Sequence, residues 1–122
     1  MVMTKPPLVC ITTLLELEDS LGGEKDLTRN FVRRYIEMWP GRFERIYTAV
    51  TSGNKADALD SALSLRSSAL MVGAARLGTV TNDLIHLLEC RDHSEATIKM
   101  ASLKSCGNQT AGQLQTLYLS VE

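Results

Sequence analysis

The chain has 122 residues, 44% hydrophobic and 5% aromatic, with a formal net charge of -1 at pH 7. That length suits one domain with a single core, and the near-neutral balance lacks the basic excess that draws a protein onto nucleic acid or an anionic membrane. Cys10, Cys90 and Cys106 are odd in number and form no Cys-x-x-Cys pair, which argues against a disulfide framework and against a zinc site. No apolar run approaches the roughly 18 residues of a membrane span. The early run PLVCITTLL has no small-residue cleavage site and passes at once into LELED, so it reads as mature protein. A soluble, cytoplasmic, all-α domain over 1–122 is expected, with 1–7 flexible and no cofactor.

Apolar residues recur at spacings of three and four, which predicts five helices in succession. The first, over 8–21, carries Leu8, Ile11, Leu14 or Leu15, and Leu17 or Leu21, and stops at Gly22-Gly23. The second begins near Asp26 and presents Leu27, Phe31, Tyr35 and Met38; a kink or short break is expected at Trp39-Pro40 before Phe43, Ile46, Tyr47 and Val50. Asn54 caps a third helix over 55–72 with an inner stripe of Ala58, Ala62, Leu65, Ala69 and Val72. The fourth, over 74–90, buries Leu77, Thr81, Leu84 and Leu88, with Val80 and Leu87 beside them. Ser94 or Thr97 starts a last helix carrying Ile98, Ala101, Leu103, Leu114, Leu117 and Val121, which Gly107 and Gly112 are expected to break near 106–109. Short connections favour antiparallel neighbours, hence an up-and-down four-helix bundle with an extra N-terminal helix laid across it.

The stretch ALSLRSSALMVGAARLG resembles the site helix of histidine-containing phosphotransfer (HPt) domains. Their signature is His-x-Leu-Lys-Gly, then Gly-Ala six residues on and Leu four after that. Here it reads Leu63, Leu65, Arg66 for the lysine, Ser67 for the glycine, and Gly73, Ala74 and Leu77. The likeness covers roughly 14–88, including the mid-helix proline and the Gly-Asn turn. It implies a phosphorelay protein whose partner is a response-regulator receiver domain or a histidine kinase. Leucine has no lone pair or titratable proton, so Leu63 can neither accept nor relay a phosphoryl group. The resemblance therefore implies a non-catalytic binder, a decoy or adaptor, and no enzyme.

Helical geometry puts Leu63 beside the inner stripe, on one face with Leu59, Arg66, Ser67 and Leu70. Two readings stay open: a leucine that covers a seam between helices, or an apolar docking patch completed by Leu14 and Leu17 of the first helix and rimmed by Arg66. Outside that face, His86 and His93 are the histidines that could stand in as phosphoacceptor; His86 is expected on the outer side of the fourth helix near Asp83 and Glu89, with no cation beside it to receive a phosphate. His93 falls in the turn that follows. Arg29, Arg33, Arg34, Arg42 and Arg45 read as a solvated, salt-bridged side of the second helix, with an arginine side facing an acidic receiver pocket as the alternative, and Glu16, Glu18, Asp19 and Glu24 as solubilising charge. A scaffold that self-associates through the leucine patch is the remaining alternative, so a monomer or weak homodimer is expected.

Overall fold

The computed structural model describes residues 6–120, which contain five α-helices and no strand. They are α1 (Ile11–Ser20), α2 (Lys25–Thr51), α3 (Lys55–Met71), α4 (Ala75–Glu89) and α5 (His93–Gln113), and a π-helical stretch, Leu114–Leu119, continues from α5. Both α2 and α4 pack against α3 and α5, α1 lies against α2 and α3, and the π-helical end returns to α2. No helix is long and apolar enough to cross a membrane among the described residues.

The inner stripes of α3 and α4 follow the sequence pattern. Ala58, Ala62, Leu65, Ala69 and Val72 are buried, as are Leu77, Thr81, Leu84 and Leu88. The small side chains of α3 let its neighbours come close, and α3 ends where Gly73 turns left-handed at φ +77°. Its start is capped as expected: Asp57 N–H donates to the Asn54 side chain at 3.2 Å.

The second and fifth helices differ from expectation. In α2 the buried stripe is Thr28, Val32, Tyr35, Trp39, Phe43, Ile46, Ala49 and Val50, while Leu27, Met38 and Tyr47 are exposed. Trp39 carries the largest apolar surface on the helix, and turning it inward rotates Leu27 and Met38 outward. Pro40 does not break the helix. An interior proline costs about 3 kcal/mol, but Pro40 is exposed while its neighbours Trp39 and Phe43 are buried with ring centroids 5.7 Å apart. Burying two such side chains is worth roughly 1.5–3 kcal/mol each, enough to carry the helix through the defect.

The expected break in α5 is also absent, and the reason is the same tryptophan. A Cβ on Gly107 would lie 1.8 Å from an indole carbon of Trp39. The glycine that weakens the helix in isolation is the recess that receives the ring. Trp39 Nε1–H then donates to Asn108 Oδ1 at 2.8 Å, fixing α2 to α5. With the ring seated there, α5 buries Ala96, Met100, Leu103, Cys106 and Thr110 and the π-helical stretch buries Leu114, while Ile98, Ala101 and Leu117 face solvent. The helix starts earlier than Ser94, at His93, because Asp92 caps it by accepting from Glu95 N–H at 3.1 Å. Val121 lies outside the described residues.

Both ends of the described chain are tied down. Residues 8–10 are not helical: Cys10 N–H donates to Gly73 O at 2.7 Å, and Arg76 N–H and Nε–H donate to the carbonyls of Pro7 and Pro6 at 3.0 and 2.9 Å. Pro6 and Pro7 contribute carbonyls without donors, which suits a strap better than a helix. Of the segment 1–7 expected to be flexible, 1–5 lie outside the described residues. At the other end, Tyr118 OH donates to Glu18 Oε2 at 2.5 Å and Arg29 Nη2–H to Leu119 O at 2.6 Å. Glu18 is therefore a buried anchor, not solubilising charge. Burial, and next the Glu18 carboxylate, push the Tyr118 phenol well above its ordinary value.

Three helix ends use left-handed glycines, Gly22, Gly53 and Gly73; the α4–α5 turn uses Arg91 at φ +59°. Arg91 N–H donates to Leu88 O and Asp92 N–H to Leu87 O, the paired bonds of a helix end that ordinarily ends on glycine. A non-glycine residue pays roughly 1 kcal/mol there. Arg91→Gly is accordingly expected to stabilise the protein by about 1 kcal/mol in urea denaturation, less the added entropy of the unfolded chain.

Candidate functional site

The outer face of α3 holds Leu59, Leu63, Arg66, Ser67 and Leu70, the α3 part of the docking patch that is one of the two expectations for this face. Leu59 is half-buried, Leu63 is 41% exposed and Leu70 53% exposed, with Ser67 exposed between them. Met71, outside the sequence-derived set, extends the apolar row at 50% exposure. The helix places these side chains outward because its small residues occupy the inward positions. Leu65, Ala74 and Leu77, which carry part of the family likeness, serve the core, and Gly73 makes the turn.

The cation of this face is not free in solution. Arg66 is half-buried, and its Nη1–H donates to Asn82 Oδ1 of α4 at 2.8 Å. Leu70 lies over Gly78 of α4, where a Cβ would come within 2.9 Å of its Cδ2. Arg66 and Leu70 thus both reach across the α3–α4 seam. Leu63 stands on the same face without a polar partner, as a leucine must.

The first helix contributes less than expected. Leu14 is fully buried, so it lines no surface; Leu17 is half-buried. Leu14 is held inside because α1 presents only a narrow buried edge, Leu14 and Glu18, to the rest of the molecule. The exposed apolar side chains of α1 and of its C-terminal cap are Ile11, Leu15 and Leu21.

The arginines of α2 do not form a single solvated side. Arg42 Nη1–H donates to Ser68 Oγ at 2.6 Å, and Ser68 Oγ lies 3.0 Å from Ser64 O. Arg45 pairs with Asp57 and Asp60 of α3 at 2.7 and 3.1 Å, in keeping with a salt-bridged face. Both contacts cross from α2 to α3, a relation that helical periodicity within one segment does not contain. Ser68 is therefore occupied by Arg42, and of the two small residues near the cation only Ser67 is exposed.

The alternative phosphoacceptor stands apart from this face. His86 is exposed on α4 with Nδ1 3.9 Å from Glu89 Oε1, a neighbour of the wrong charge to receive a phosphoryl group. His93 is the first residue of α5 instead of part of a loop. Cys10, Cys90 and Cys106 are free thiols, and among the described residues no group of three or more His, Cys, Asp or Glu side chains is arranged to hold a metal ion. The α3 face offers apolar area and hydrogen-bonding groups, and Leu63, at the position aligned with the phosphoacceptor, carries neither a nucleophile nor a base. Compared with known proteins, the chain matches no family model, no curated protein and no solved structure.

Proposed function

We propose that the chain is a cytoplasmic HPt-like binder that does not carry phosphate. Its four long helices form an up-and-down antiparallel bundle with α1 against it, and the outer face of α3 docks a response-regulator receiver domain or a histidine kinase. The observation that carries this reading is Leu63: 41% exposed at the position where HPt domains hold the phosphoacceptor, with Arg66 and Ser67 on the same face and left-handed Gly73 at the following turn. An exposed leucine between half-exposed leucines favours contact with another protein surface. The absence of a nucleophile there makes occupancy of the partner, as decoy or adaptor, the consequence.

The test is to mix the protein with a panel of phosphorylated receiver domains, measuring both binding and acid-labile phosphate. Binding without phosphate transfer is expected, and Leu63→Asp should weaken binding at least tenfold, about 1.4 kcal/mol. Leu63→His should restore phosphate acceptance by placing an imidazole beside Arg66. Stoichiometric phosphohistidine on the unaltered chain that disappears in His86→Ala would replace this reading with active phosphotransfer through His86. Failure to bind any receiver or kinase, together with self-association through α3, would replace it with a scaffold role.

A further inference from the structure

We propose that the end of the molecule formed by the α2–α3 and α4–α5 turns is a binding site for a small amphipathic anion, a carboxylate on an apolar body. A cavity of about 300 Å³ opens there, at the lower end of the roughly 300–1,000 Å³ usual for small-molecule sites. Ala49, Val50, Ala58 and Leu88, all buried core residues, supply apolar lining from three different helices. Basic side chains from three places share that lining: Lys55 at the start of α3, Arg91 in the α4–α5 turn and His93 at the start of α5.

The charge balance favours an anion. Among the described residues none of Lys55, Arg91 and His93 enters an ion pair. Asp92, the carboxylate of the lining, caps α5 through Glu95 N–H and keeps its charge, so Lys55 and Arg91 leave the lining with a formal charge of +1, two cations less one carboxylate, with His93 counted as neutral. Arg91 supplies the most specific group, because a guanidinium fork matches a carboxylate in two parallel hydrogen bonds.

The backbone points the same way. Gly53, which lines this cavity, and Gly22 and Gly73 take left-handed conformations without a side chain, whereas Arg91, a residue of the lining, takes one with a side chain. The helix end requires the left-handed conformation but not an arginine, so a side chain kept there at a cost is a reason to look for function. Apolar lining beside unpaired cations fits an acid with a short hydrocarbon body better than inorganic phosphate, which would leave the apolar walls unused. This site is at the turn end of the helices and involves none of the α3 docking residues, so it stands or falls independently of receiver binding.

The test is amide NMR titration of the full chain with octanoate, with acetate and 1-octanol as the charge-only and apolar-only arms. Octanoate is expected to bind saturably with a Kd below about 1 mM, moving the amides of Gly53, Leu88, Arg91 and His93, and acetate and octanol at least tenfold more weakly. Arg91→Gly, a substitution its backbone favours, should weaken octanoate at least fivefold, as should Lys55→Gln, while Arg34→Gln on α2 leaves it unchanged. No saturable shift, octanol binding as tightly as octanoate, or undiminished affinity in both Arg91→Gly and Lys55→Gln would overturn the proposal.

Discussion

Gly107→Ala is expected to destabilise the protein by about 3 kcal/mol and lower its melting temperature by about 10 °C, although alanine is the better helix former. In an exposed helix the exchange gains about 1 kcal/mol. At Gly107 the new Cβ would sit 1.8, 2.1 and 2.4 Å from three indole carbons of Trp39, far inside van der Waals contact. The rigid ring must move, and moving it strains the hydrogen bond to Asn108, worth about 1 kcal/mol, and disturbs the contact with Phe43. Gly112→Ala is the internal comparison. It lies in the same helix with nothing within 4 Å of the added Cβ, so it should gain about 0.5–1 kcal/mol. Urea denaturation of the two variants checks the opposite signs; destabilisation by both would show that α5 does not tolerate alanine for a reason other than Trp39.

Gly73→Ala is expected to cost about 3 kcal/mol, against about 1 kcal/mol for Gly53→Ala. Both glycines are left-handed, at φ +77° and +75°. A Cβ at Gly53 meets open space, so strain alone opposes the substitution there. At Gly73 the Cβ would also come within 2.5 Å of Cys10 O, in the segment whose Cys10 N–H donates to Gly73 O. The backbone of that segment has no flexible side-chain end to yield, so residues 6–10 must lift from the α3–α4 turn. Native-state hydrogen exchange gives the local reading: the amides of Cys10 and Arg76, which are bonded in this strap, should exchange much faster in Gly73→Ala and remain as in the parent in Gly53→Ala.

How far the sequence could be read varied with how much of each element's environment is local. In α4 the apolar residues keep a spacing of three and four, and in α3 the alanines with Leu65 and Val72 do, so the buried stripes were legible even though α3 also carries large apolar side chains outside its stripe. In α2 two rotations compete, one burying Leu27 and Met38 and one burying Val32 and Trp39. Periodicity does not rank them, and the recess at Gly107, distant in sequence, does. The candidate site divides in the same way. That Leu59, Leu63, Arg66, Ser67 and Leu70 share a face follows from helical geometry alone. The links from Arg66 to Asn82 and from Arg42 to Ser68 join different helices and carry no signal in either segment.

The sequence by itself determined the helical character, the turns at Gly22-Gly23, Gly53 and Gly73, and the cap at Asn54, because each depends on a residue's own backbone preference or on neighbours within one turn. It also determined that Leu63 brings no phosphoryl-accepting chemistry, since a side chain lacking a lone pair lacks it in any fold. Only the tertiary structure decided that Pro40 and Gly107 lie within unbroken helices, that Leu14 and Glu18 are buried, and that Arg66 is held against α4. Local preferences are worth about 1–3 kcal/mol each, and burying Trp39 and its neighbours between helices outweighs them. That balance exists only once residues far apart in the chain have met.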